Sequence, residues 1–291
     1  MAKPAITPGQ AQLVAVAVAT FLMVLKAAAS WTTGSLALGS AALDSAVDVF
    51  ISTANYFVLR RSAAPPDEDH AYGHGKFESL AALGQGLFLA GGAAGLVIEG
   101  VRRFSSHAAA DVRRDDGLGI VVLLVAGVMS LGVARLLQAA AERSGSPALK
   151  ADSQHYGTDL WINLAALAAL LTVRWTGWWQ ADPLVALAVA ALILRTAAGL
   201  VVEAVGDLSD RVLPPDELAR IEAVVAAFAP RVQGMHDLKT RRSGRQRFVE
   251  LHLEIPKSVS FEESHKLTVE VLRAIERELP RSKVFVHGDP V

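Results

Sequence analysis

The sequence predicts a polytopic membrane protein: a six-transmembrane-helix α bundle followed by a small α+β domain of order α-β-β-α-β. Three observations carry this expectation. The 291-residue chain is 52% hydrophobic and only 20% charged. It holds six long apolar stretches. Its charge is also uneven, since residues 206–291 contain 28 of the 57 Lys, Arg, Asp and Glu residues. The expected division is a membrane domain over 1–206 and a soluble domain over 207–291, with a short junction near 207–215.

A helix crosses hydrocarbon in roughly 20 apolar residues. The stretches 11–30, 35–59, 77–101, 117–139, 149–173 and 183–203 meet that length. The first follows Thr7-Pro8-Gly9, a helix start with no clear cleavage site after it, and is read as a retained helix. Gly84, Gly86, Gly91, Gly92 and Gly95 read as sites of close helix packing. With the N-terminus inside, the inner loops hold Lys3, Arg60, Arg61, Lys76, Arg135, Arg143 and Lys150. The outer loops then hold Arg102, Arg103, Arg113, Arg114 and Arg174. That excess inside, and the placing of Trp31, Trp175, Trp178 and Trp179 together at the outer interface, predict cytoplasmic N- and C-termini.

In the tail, Pro214-Pro215-Asp216-Glu217 opens an amphipathic helix to about Phe228. A strand from Val232 to about Arg242 turns at Ser243-Gly244 into a second, Arg247 to Ile255. Val249, Leu251, Leu253 and Ile255 alternate there with a more polar face of Phe248, Glu250, His252 and Glu254. Ser260 and Glu263 form a capping-box pattern for a helix reaching Leu279, and Lys283 to His287 makes a last short strand.

Composition removes several chemistries. The chain has no cysteine, which excludes disulfides, iron–sulfur clusters, thiolate zinc sites and cysteine nucleophiles. A net charge of -1 gives no nucleic-acid partner bound through bulk positive charge. No nucleophile elbow, HExxH or phosphate-cradling glycine loop occurs, so an enzyme is not expected.

The informative residues are ionisable groups inside apolar segments. Asp44 and Asp48 are four apart in the second segment, and His155 and Asp159 are four apart in the fifth. Each pair therefore shares a helix face. Lys26 and Arg195 lie towards the ends of other helices, where long side chains snorkel, so no internal counter-charge is expected. Two facing pairs compose a tetrahedral site of three carboxylates and an imidazole, which suits Zn2+ and, less selectively, Fe2+, Cd2+ or Mn2+. Polar faces lining a water cavity, or a proton relay alone, are the metal-free readings. Because ligands must lose protons to bind metal, alternating exposure of such a site exchanges outgoing cation for incoming protons, with His155 the candidate proton carrier.

A second cluster follows the second segment, where Asp67, His70 and His74 either converge on one ion or form a solvated charged loop. Gly73 and Gly75 allow a tight turn there. In the tail, His236, His252, His265 and His287, with Asp289, either gather on folding or remain separate surface residues. His107 reads as surface.

These motifs together resemble the cation diffusion facilitator family, nearest its bacterial zinc and iron efflux branch. They are Leu43-Asp44-Ser45-Ala46-Val47-Asp48, then Asp67 through His70, Gly73, His74, Gly75 and Lys76 to Glu78-Ser79, then His155-Tyr156 with Asp159. The tail adds His236-Asp237-Leu238 and His287 with Asp289-Pro290. The resemblance implies a homodimeric Zn2+/H+ antiporter of the bacterial inner membrane with a metallochaperone-like cytoplasmic domain. It implies that Asp44, Asp48, His155 and Asp159 form the transport site and that Asp67, His70 and His74 form a loop site. It further implies a binuclear dimer-interface site of His236, His252, His265, His287 and Asp289, and a Lys76–Asp210 charge interlock between protomers. Asp at the first transport position matches the broader-specificity branch rather than the zinc-restricted members, which carry His there. Position 288 is Gly and offers no side-chain ligand.

The expected function is export of divalent cations in exchange for protons across a lipid bilayer, with the tail sensing metal and stabilising the dimer. A membrane-anchored metal sensor that does not transport, and a passive channel, are the rival readings.

Overall fold

In the computed structural model, residues 6–33, 36–106, 117–178 and 180–291 are described. His107, Lys3, Arg113, Arg114 and Trp179, and the start of the stretch 35–59, lie outside them. The chain divides into two units, 1–73 with 77–204 and 74–76 with 205–291.

The first unit is built from α1 (Pro8–Thr33), α2 (Leu36–Ser62), α3 (Lys76–Ser106), α4 (Gly117–Ser144), α5 (Pro147–Thr176) and most of α6 (Ala181–Leu208). Among the described residues, five helices are long and apolar enough to cross a membrane, all but α5. That helix carries Lys150, Asp152, Asp159 and Asn163, and it turns much of its polar surface inward. Asp152 is fully buried, and His155 and Thr158 are nearly so. This is how a bundle keeps ionisable groups away from lipid.

Small residues set the packing. Ala11 and Ala15 of α1 meet Leu59 of α2, Val133, Leu137 and Ala140 of α4, and Ala148, Leu149 and Tyr156 of α5 in one apolar cluster. A second cluster joins Ala82, Leu89 and Ala93 of α3 to Ala151 of α5 and to Ile193, Ala197 and Leu200 of α6. Gly86 is required here, because a Cβ would press on the Val201 side chain at 2.9 Å. The other α3 glycines correct the sequence reading. An added Cβ at Gly84, Gly91, Gly92 or Gly95 would meet nothing within 4 Å, so among the described residues they are not sites of close packing within this chain. Trp31, Trp175 and Trp178 are exposed, as an interfacial belt requires.

The second unit contains α7 (Pro215–Ala226), β1 (Gly234–Ser243), β2 (Gln246–Ile255), α8 (Phe261–Glu278) and β3 (Ser282–Pro290). The sheet order is β1-β2-β3, with β1 antiparallel and β3 parallel to β2. Val249, Leu251, Leu253 and Ile255 of β2 are buried, as their alternation predicts. They pack on Ile221 and Val225 of α7 and on Leu267, Val271 and Ile275 of α8, stripes at helical spacing. Each such side chain contributes roughly 1.5–3 kcal/mol on burial. Ser260 and Glu263 close the expected capping box at the start of α8. One residue departs from the expected alternation. Phe248 is buried although it lies on the more polar face, because the Arg241 guanidinium covers its ring at 4.8 Å.

Residues 74–76 belong to this unit because the chain at Gly75 lies directly on the Ser243–Gly244 hairpin turn, where a Cβ on Gly75 would strike the Ser243 carbonyl.

Candidate functional site

On α2, Asp44 and Asp48 stand one turn apart, and on α5 His155 and Asp159 do the same. The helices bring three of these four groups together. His155 Nε2 is 3.0 Å from Asp48 Oδ1 and 4.0 Å from Asp159 Oδ2. One ligand-type atom from each of the three lies within 4.8 Å of the others. Phe88 and Tyr156 meet the buried His155 ring edge-on, at 6.0 and 5.9 Å between centroids. Asp44 is exposed and stands outside this group, one turn away on α2.

Two features of this region escaped the sequence reading. The first corrects it: Lys26 does not snorkel. It is only 8% exposed, and its Nζ donates to Ser45 Oγ at 2.7 Å, with Ser45 itself fully buried between Asp44 and Asp48 in sequence.

The second is Asp152, three residues before His155 and fully buried. Its carboxylate accepts from Gln12 Nε2 at 2.6 Å and from Gln85 Nε2 at 3.2 Å. Gln12 Nε2 also reaches the Ser52 carbonyl at 3.0 Å, while Tyr156 Oη shares a hydrogen bond with Ser52 Oγ at 3.0 Å. One buried polar cluster therefore ties α1, α2, α3 and α5 directly beneath His155. The i, i+3 spacing of Asp152 and His155 was visible in the sequence; the two glutamines on other helices were not.

In the loop before α3, Asp67 Oδ1 accepts from the His70 amide at 2.7 Å and sits 3.1 Å from His70 Nδ1. Gly73 takes the left-handed region at φ 84. Nearby in sequence, Lys76 Nζ donates to Asp210 Oδ1 at 2.9 Å and to the Leu208 carbonyl at 3.2 Å. The hydrogen bond from Lys76 is the main reason that Asp210 is held below the usual carboxylate range, with Arg241 at 3.2 Å adding to it.

The tail site follows from strand register. His236 pairs with His252 across β1 and β2, and His252 with His287 across β2 and β3, so three imidazoles form a row. Asp289, two residues along β3, joins all three: 3.1 Å from His236 Nε2, 2.8 Å from His252 Nδ1 and 3.2 Å from His287 Nε2. Its hydrogen bond from His252 holds Asp289 below its ordinary range. His265 of α8 stands apart from the row, but with His287 and Gly288 it lines a cavity of about 420 Å³. Two further acidic groups reach the row, Glu254 Oε1 at 3.3 Å from His236 and Asp237 Oδ2 at 4.0 Å from His252. Glu254 was legible from its i, i+2 relation to His252. Asp237 was not, because an irregularity between His236 and Lys239 and a φ of 54 re-aim it.

Comparison with known proteins accords with this architecture. Residues 12–209 match the cation efflux transmembrane domain, and residues 213–291 match the cation efflux protein cytoplasmic domain. The chain is 40% identical over 281 residues to the cation-efflux pump FieF of Escherichia fergusonii, covering 97% of this chain and 92% of that protein. It is 39% identical over the same length to FieF of Escherichia coli K12, with the same coverage. Among solved structures, the zinc form of CzrB is 38% identical and aligns to 28% of this chain and 92% of its own, with a TM-score of 0.27. The metal-bound C-terminal domain of the CzcD transporter from Thermotoga maritima is 29% identical, aligns to 26% of this chain and 87% of its own, and has a TM-score of 0.25. This chain belongs to the cation efflux (cation diffusion facilitator) family: it is a multi-pass membrane transporter with a cytoplasmic C-terminal domain, not an enzyme.

Proposed function

We propose that the protein exports divalent cations from the cytoplasm, Zn2+ foremost and Fe2+, Cd2+ and Mn2+ as further substrates, in exchange for protons by alternating access. The observation that carries this reading is the convergence of Asp48, His155 and Asp159 within 4.8 Å, on helices of a membrane bundle. A mixed oxygen and nitrogen donor set suits these ions. Asp44 supplies the fourth ligand by a shift of its side chain from the next turn. Metal binding to such a set displaces protons, and proton binding displaces metal, so one cluster serves both cargoes.

The same reading assigns Asp67, His70 and His74 to a loop metal site, and His236, His252, His265, His287 and Asp289 to a binuclear tail site. The tail donors fit metal: a row of imidazoles around one carboxylate is crowded for free histidines and natural for ligands. The protein works as a homodimer in the bacterial inner membrane, with both termini cytoplasmic, and Lys76–Asp210 braces the dimer. Domains are set at 1–206 for transport and 207–291 for metal sensing and dimerisation. The FieF relatives are named cation-efflux pumps, which supports the direction of transport.

The test is flux into proteoliposomes with a zinc dye and a pH dye. Asp48→Ala and Asp159→Ala should each abolish zinc-for-proton exchange. Wild-type exchange in both variants would instead favour a membrane-anchored sensor, in which the bundle only holds the tail.

A further inference from the structure

We propose that Lys26 is a tethered counter-cation of the transport site, a group that keeps the site tolerable when empty and weakens its hold on cargo. The inference rests on the transport-site assignment above.

Three carboxylates and one imidazole inside a bundle carry net negative charge once metal leaves. Such charge is costly in low-dielectric surroundings without a partner. The structure supplies that partner from a different helix. Lys26 Nζ is held by Ser45 Oγ at 2.7 Å, the hydroxyl lying on α2 between the two aspartates of the site. Among the described residues no ion pair joins Lys26 to a carboxylate, so its buried ammonium is held beside the site by the Ser45 hydroxyl alone. It is also no ligand, because an ammonium has three donors and no lone pair.

The placement has two consequences of opposite sense. Between release of metal and uptake of protons the fixed positive charge offsets the carboxylates, which lowers the cost of that transient empty site. In the loaded site the same charge repels the divalent ion, which prevents over-tight binding and speeds release. Affinity is thereby exchanged for turnover.

The test uses the full-length protein in proteoliposomes, with zinc binding measured in parallel in detergent. Lys26→Met keeps the buried stem and removes the charge; Lys26→Arg keeps the charge. Lys26→Met should lower the half-saturating Zn2+ concentration by about tenfold and lower the maximal flux, while Lys26→Arg stays near wild type in both. A purely structural role would weaken binding and flux together. Unchanged or weaker zinc binding in Lys26→Met overturns the proposal. If Lys26→Met does not fold, Lys26→Gln is read by the same criteria, and failure of both to fold while Lys26→Arg folds would assign Lys26 to folding alone and overturn it too. Asp48→Ala is run beside them: retained flux there rejects the transport-site assignment, whereas its loss with no affinity gain in Lys26→Met rejects only the role of Lys26.

Discussion

His155 Nε2 lies 3.0 Å from Asp48 Oδ1, although the residues are 107 positions apart. Only the packing of α2 and α5 creates this contact, so it reports the bundle and the site at once. Loss of an outer partner of a metal ligand typically costs about 10–100-fold in metal affinity. Loss of a ligand itself should cost more. Asp48→Asn and His155→Ala are therefore each expected to weaken zinc binding by about 100-fold or more. Titration of the purified variants checks this, and losses under tenfold would place the ion elsewhere.

Asp152 makes a different prediction, about stability. It is buried and satisfied by Gln12 and Gln85. Asp152→Ala strands two amide donors where water cannot reach, a penalty of about 1–3 kcal/mol for each group. Asp152→Asn should be milder, because its amide can still accept from one glutamine and donate to the flipped carbonyl of the other. Thermal unfolding in detergent should rank wild type above Asp152→Asn above Asp152→Ala. Equal stability of all three would show that the cluster is hydrated rather than dry.

These two residues mark how far the sequence was legible. Periodicity places Asp48 with Asp44 and His155 with Asp159, because i, i+4 spacing fixes a shared face regardless of neighbours. The strand alternation of Val249 to Ile255 is readable for the same reason. What rotates one helix against another is not local. Whether Lys26 points to lipid or to Ser45 depends on α1–α2 packing, and a lysine near the end of an apolar helix supports either outcome. The burial of Phe248 likewise depends on Arg241 from the neighbouring strand, and the placing of Asp237 on an irregular backbone.

In the tail, His252 occupies the middle of the imidazole row and bonds Asp289 at 2.8 Å, whereas His265 lies outside it. With the transport site disabled by Asp159→Ala, zinc titration of the full chain should report mainly on the remaining sites. His252→Ala should then weaken tail binding at least about tenfold more than His265→Ala, by analogy with the cost of losing a metal-site partner. Equal losses would mean that the ions sit between α8 and β3 instead.

Glu217 predicts acid sensitivity. It lies in the first turn of α7, where an anion is favoured. Arg247 grips both carboxylate oxygens at 2.7 and 2.9 Å, and Arg242 adds a hydrogen bond at 2.8 Å. The Arg247 hydrogen bond foremost holds Glu217 below its ordinary value of 4.5, overcoming the opposing effect of burial. A carboxyl depressed in the folded state stabilises the fold fully above its unfolded value and loses that contribution as pH falls through the folded one. The Glu217 contribution to tail stability should thus be constant near neutral pH and decline once pH drops below 4.5. Glu217→Gln should lower stability at pH ~7, where the charge matters, and flatten the acid decline. Hydrogen exchange of the β2 amides in the full-length protein, corrected for intrinsic rates, measures both. Parallel acid declines in wild type and variant would assign the transition to another carboxylate.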